Sequence, residues 1–139
     1  SAASDVYKRQ YLMSILNRKG EVMQALNIVK TAVKAIDSKK GEDIEVIGIT
    51  DLTVLTDYFV IATATSSTQI KAMADEVEYK LDELGVEPHH IEGRSTNWVC
   101  LDYNSVVIHI FHKQQREFYS LERLWEDGEV LDTAKLLED

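Results

Sequence analysis

The segment Tyr58-Phe-Val-Ile-Ala-Thr-Ala64 is an almost unbroken apolar run, closed by Asp57 before it and by Thr65-Ser-Ser after it. It is too short for an independent core helix and carries aromatic and β-branched residues between turn formers. That combination reads as a central β-strand covered on both faces. A strand of this kind needs neighbours in a sheet and helices packed against it, so this segment alone points to an α/β fold.

The flanking segments supply those parts. Before the run, Val22, Ala25, Leu26, Val29, Ala32, Val33 and Ile36 recur at helical spacing, and Lys39-Lys-Gly41 ends the helix. Ile44, Val46 and Ile49 alternate roughly, as in a half-buried strand, and residues 51–57 break it. After the run, Ser66 with Gln69 makes a capping-box pattern. It opens a helix with Ile70, Met73, Ala74, Val77, Leu81 and Leu84 on its inner face and Gly85 as its stop. A short extended piece at His89 to Glu92 precedes Trp98–Tyr103 and Val106–His112. These two flank Asn104-Ser105 as a β-hairpin whose turn lacks the usual glycine. From Gln115 to Glu126, Phe118, Leu121, Leu124 and Trp125 predict a last helix. The order α, β, β, α, β, β, β, α implies a mixed β-sheet flanked by helices.

Residues 1–20 show no clear periodicity and are read as a poorly ordered leader, or as sequence foreign to the fold. Residues 21–128 are read as one domain and 129–139 as an acidic C-terminal tail. The length, 139 residues, suffices for a core without disulfides or metal, and Cys100, the single cysteine, allows no internal disulfide. No segment reaches the roughly 20 apolar residues of a membrane span. A reducing cytoplasm is the expected location. The net charge of −9, from 24 acidic and 15 basic residues, disfavours direct binding to nucleic acid and suits a basic protein partner.

A search for catalytic chemistry finds little. The run Thr63-Ala-Thr-Ser-Ser-Thr68 joins a strand to a helix and could offer backbone N–H groups to an anion, yet it holds neither glycine nor lysine, so neither a dinucleotide fingerprint nor a phosphate loop is present. His109 and His112 fall on opposite faces of a strand and cannot share a metal there. His89 and His90 have no ligand cluster beside them. Cys100 between Val99 and Leu101 reads as a small buried hydrophobe rather than a nucleophile. Asp51, Asp57, Glu92 and Asp102 stand at strand ends, but the Asp-x-Asp pair of a nucleotidyltransferase is absent. No metal and no cofactor is expected, and an enzyme is disfavoured.

Large amphipathic side chains suit a binding surface better. Trp98, after the polar run Gly93–Asn97, can serve the core or an interface, whereas Trp125 sides with Phe118, Leu121 and Leu124. Arg116, Tyr119 and Arg123 can share an outward helix face, either as solvated charge or as partner contacts.

Taken in order, Thr56-Asp-Tyr-Phe-Val-Ile-Ala-Thr-Ala-Thr-Ser-Ser-Thr-Gln69, Glu92-Gly93, Trp98, Leu101-Asp-Tyr103, Val106–Phe111 and Arg116 through Tyr119-Ser-Leu-Glu-Arg-Leu-Trp125 resemble the Iojap family of ribosomal silencing factors. The resemblance implies a nucleotidyltransferase-like α/β fold without catalytic acids and a homodimer when free. It also implies docking on ribosomal protein fourteen, a basic protein of the large subunit, and steric exclusion of the small subunit under nutrient limitation. It carries a binding role, to partner or dimer, onto Asp57, Tyr58, Glu92, Trp98, Asp102, Arg116, Tyr119 and Glu122. Two positions depart from the family pattern. Ala64 replaces a turn glycine, and Asn104-Ser105 replaces a Gly-Asp type turn, which asparagine can sustain because it tolerates positive φ.

Overall fold

A computed structural model describes residues 2–49, 56–119 and 128–138, without the side chains of residues 117–119 and of part of residues 2–22. The elements run α1 (Ala2–Ser38), β1 (Glu42–Gly48), β2 (Tyr58–Ala64), α2 (Ser67–Glu83), β3 (His90–Glu92), β4 (Trp98–Asp102), β5 (Val106–His112), α3 (Lys113–Tyr119), β6 (Glu129–Leu131) and α4 (Thr133–Glu138). The strands form a mixed sheet in the order β3-β4-β5-β2-β1-β6. Among the described strands only the β2–β5 pair is parallel, from Tyr58 opposite Val106 to Ala64 opposite His112.

The apolar run is central as expected. β2 lies between β5 and β1, and Val60, Ile61, Ala62 and Ala64 are fully buried. Its even-numbered side chains join Val99, Leu101, Ile108 and Ile110 in a core with Ala25, Val29, Val33 and Ile36 of α1 and Ile70, Met73, Val77 and Leu81 of α2. The opposite face carries a smaller cluster of Ile47, Ile49, Ile61 and Phe111, with Phe59 and Trp98 packed against it. The period-two alternation of β2, β4 and β5 therefore sorts each strand between two cores.

The join between α1 and α2 is tighter than a simple cap. Ser66 accepts a hydrogen bond from the Gln69 N–H at 3.1 Å, while the Gln69 side-chain oxygen accepts from the N–H of Thr65 at 2.7 Å. The Gln69 amide nitrogen then donates to the carbonyls of Lys39 and Lys40, at 3.1 and 2.9 Å. One side chain thus closes the start of α2 and the end of α1 together, satisfying groups that helix ends leave orphaned.

Two boundaries differ from the sequence reading, and one strand is irregular. The helix expected from Glu21 continues back through the residues read as a leader, to Ala2. Residues 2–20 contain no proline, and nothing crowds Gly20, so a helix nucleated on the core propagates at little cost per residue. The segment read as an acidic tail contains β6, which pairs antiparallel with β1 from Gly48–Glu129 to Val46–Leu131, and α4, which buries Leu136 in the main core. Three residues are too few for periodicity to reveal a strand, and only the open edge of β1 makes this one. Lastly, β1 carries an irregularity between Glu42 and Glu45, where Asp43 takes φ +46°.

The hairpin forms as expected, with Trp98 opposite Phe111 and Asp102 opposite Val107. Asn104 adopts φ +66°, and its N–H is accepted by Asp102 Oδ1 at 2.8 Å, so the glycine-free turn closes by an Asx-type bond. Ala64 is the fully buried last residue of β2 and has no positive φ, so alanine fits where the family carries glycine. The predicted last helix is represented by α3. Leu121, Glu122, Leu124 and Trp125 lie outside the described residues, as does the break at residues 51–55.

Candidate functional site

Of the eight residues singled out in the sequence, the six whose side chains are described do not converge on one point. Glu92 on β3 and Trp98 and Asp102 on β4 share the sheet face opposite α1 and α2, together with Cys100 between them and His109 on the neighbouring strand. Asp57 precedes β2, where its N–H donates to Ser105 O at 2.7 Å and its carbonyl accepts from Ile49 N–H at 2.8 Å. Tyr58 points the other way, into the main core. It is 9% exposed, and burial, then Asp57 and Glu129, raise its hydroxyl pKa.

Arg116 also turns inward. Its side chain is only 11% exposed and lies 3.6 Å from the Glu45 carboxylate. It donates from Nη1 to Thr63 Oγ1 at 2.7 Å and to the carbonyl of Asp43. It thereby holds α3 against the end of β2 and the irregular turn of β1. The side chain of Tyr119 and all of Glu122 lie outside the described residues.

The face bearing Glu92, Trp98 and Asp102 is an aromatic cluster with an acidic flank. The Trp98 indole stacks on Phe111 at 4.7 Å between ring centres and 28° between planes. His109 meets Phe59 edge-on at 5.4 Å and lies over Phe111 at 6.0 Å. Trp98 Nε1–H donates to His109 Nδ1 at 3.1 Å. Toward β3, Glu92 pairs with His90 at 2.7 Å and lies across from Cys100. Burial pushes the Cys100 thiol up to about 11, with Asp102 and Glu92 adding to the effect, so the thiol stays protonated and unreactive at neutral pH. Among the described residues no group of three or more His, Cys, Asp or Glu could hold a metal ion, and no helix is long and apolar enough to cross a membrane.

Burial pushes the His109 imidazole down from 6.5 to about 4, against a weaker upward pull from Asp102. The folded state therefore prefers the neutral ring, and the stability this preference contributes is present above pH 6.5 and is lost as the pH falls toward 4. Allowing for solvent screening at the ring's exposed edge, acidification over that window should remove about 2 kcal/mol in the wild type. Urea unfolding at a series of pH values should show a correspondingly flatter profile for His109→Phe; parallel profiles would contradict it.

Sequence reasoning placed His109 only as a strand histidine and left Trp98 open between core and interface. The information that joins them is the hairpin register. Pairing Trp98 with Phe111 puts residues 98, 100, 102, 107, 109 and 111 on one face and makes His109 a diagonal neighbour of the indole.

The chain matches, over residues 22–139, the family described as "Ribosomal silencing factor during starvation". Ribosomal silencing factor RsfS of Bacillus subtilis is 37% identical over 111 residues, covering 79% of this chain and 94% of that protein. The mouse protein "Mitochondrial assembly of ribosomal large subunit protein 1" is 36% identical over 97 residues, covering 67% of this chain and 42% of its own length. A crystal structure of a Chromobacterium violaceum protein is 38% identical and superposes with a TM-score of 0.70, covering 72% of this chain and 84% of that one. The agreement of the family match, the bacterial relative and the mixed sheet establishes that this chain belongs to the ribosomal silencing factor family, RsfS/Iojap.

Proposed function

We propose that the chain binds the large ribosomal subunit through a basic protein surface, that of ribosomal protein fourteen, and there blocks the approach of the small subunit by steric exclusion. In this reading translation falls when nutrients are limiting, the protein performs no catalysis, and the free form is a homodimer. Membership of a family of ribosome regulators supports the ribosomal part. The observation that carries the choice of surface is Trp98, stacked on Phe111 and sharing its sheet face with Glu92 and Asp102. An indole with acidic neighbours has the make-up of an interface anchor for a basic protein. The net charge of −9 adds discrimination, because it penalises docking onto the RNA phosphate that dominates the particle.

The test is sucrose-gradient sedimentation with purified large and small subunits at a stated salt concentration. Wild-type protein should travel with the large subunit and reduce the fraction of joined ribosomes. Trp98→Ala should bind about thirtyfold more weakly, equivalent to ~2 kcal/mol, while keeping its fold. Protein that stays at the top of the gradient while joining proceeds unchanged would end this reading in favour of a dimeric adaptor.

A further inference from the structure

An indole seated on another aromatic ring can keep that stacking in more than one orientation, because a flip about its outer side-chain torsion leaves the ring in nearly the same plane. What distinguishes the orientations is the direction of the single N–H. In this fold the N–H donates to His109 Nδ1, 3.1 Å from Trp98 Nε1. Trp Nε1 can only donate, so Nδ1 must be the unprotonated nitrogen and the imidazole proton must sit on Nε2. The imidazole is itself confined, edge-on to Phe59 and roughly parallel to Phe111, so it is a fixed reference rather than a mobile partner.

We infer that His109 is a positioning residue for docking, fixing the rotamer of Trp98 so that the indole meets its partner already oriented. The inference rests on the reading of Trp98 as a contact to the large subunit. Its physical basis is preorganisation. A tryptophan that must select one orientation on binding loses affinity to that selection, whereas one held beforehand does not.

Two substitutions separate orientation from packing. His109→Phe keeps an aromatic ring against Phe59 and Phe111 but removes the acceptor. His109→Asn gives up ring packing but returns an oxygen acceptor close to the place of Nδ1. Two readouts are needed. One is affinity for purified large subunits. The other is the indole 15N–1H resonance of Trp98, identified by its disappearance in Trp98→Phe.

The expected result is a shifted indole resonance and about tenfold weaker binding for His109→Phe, with both largely restored in His109→Asn. In a Trp98→Phe background, His109→Phe should cost no further affinity, since there is no indole left to orient. Wild-type binding that is undiminished in His109→Phe, or an equal loss in the Trp98→Phe background, would overturn the positioning role and leave the docking proposal intact. Failure of the wild type to bind would overturn both.

Discussion

Gly93→Ala is expected to destabilise the protein by about 4 kcal/mol, whereas Gly85→Ala should cost only about 1. Both glycines occupy the left-handed region, at φ +80° and +75°. They differ in what surrounds them. A Cβ on Gly85 would meet nothing within 4 Å, so that variant bears the backbone cost alone. A Cβ on Gly93 would lie 2.1 Å from the carbonyl oxygen of Trp98, a backbone atom held in the β4 ladder. The turn that must give way also contains Thr96, whose hydroxyl bonds the carbonyls of Gly93 at 2.5 Å and Trp98 at 2.9 Å. Relief of the clash therefore moves the start of β4 and the tryptophan with it. Urea unfolding of the two alanine variants measures the difference directly, and near-equal losses would show that the close approach at Gly93 is relieved without cost.

Arg116→Ala should destabilise by about 3 kcal/mol, and Arg116→Lys by somewhat less. The guanidinium serves groups from two strands, Asp43 and Glu45 on β1 and Thr63 on β2. Truncation deprives the hydroxyl of Thr63, which is 1% exposed, and the carbonyl of a positive-φ residue of a charged donor. Lysine restores the charge but not a fork that can address two acceptors at once. Equilibrium unfolding gives the stability, and the same variants can be sedimented with large subunits. Unchanged stability combined with lost binding would reverse the assignment and make Arg116 a docking contact, one of the two roles, partner or dimer, that the family resemblance implied.

The contrast between Arg116 and Trp98 shows which parts of this protein were legible in the sequence. Periodicity located α2, the central strand β2 and the hairpin because each buries a continuous stripe, and burial is what periodicity records. Asn104 could be trusted with the turn because its tolerance of positive φ is a property of the residue itself. The capping pair Ser66 and Gln69 was visible too, though not the reach of Gln69 to the end of α1, since that depends on two helix termini meeting in space. β6 was invisible for the same reason. Its three residues carry no pattern of their own and become a strand only beside β1. Among the candidate site residues, Glu92, Trp98 and Asp102 share a face because strand alternation puts them there. Motif matching could not show that Tyr58 and Arg116 turn inward, because the side-chain direction of a matched residue is decided by packing and not by its identity.

The parallel pairing of β2 with β5 sets how this chain must acquire its structure. Parallel neighbours cannot be joined by a tight turn, and here the crossover consists of α2, β3 and β4. The two middle strands of the sheet therefore meet only after most of what separates them has been gathered, a loop-closure cost that slows folding relative to a helical protein of this size. Once formed, that pair lies at the centre of the sheet, so no partial opening frees it. The amides of Val60, Ile61, Ile108 and Ile110 should exchange with solvent deuterium only through whole-molecule unfolding, making them the slowest clock for the lifetime of the native state.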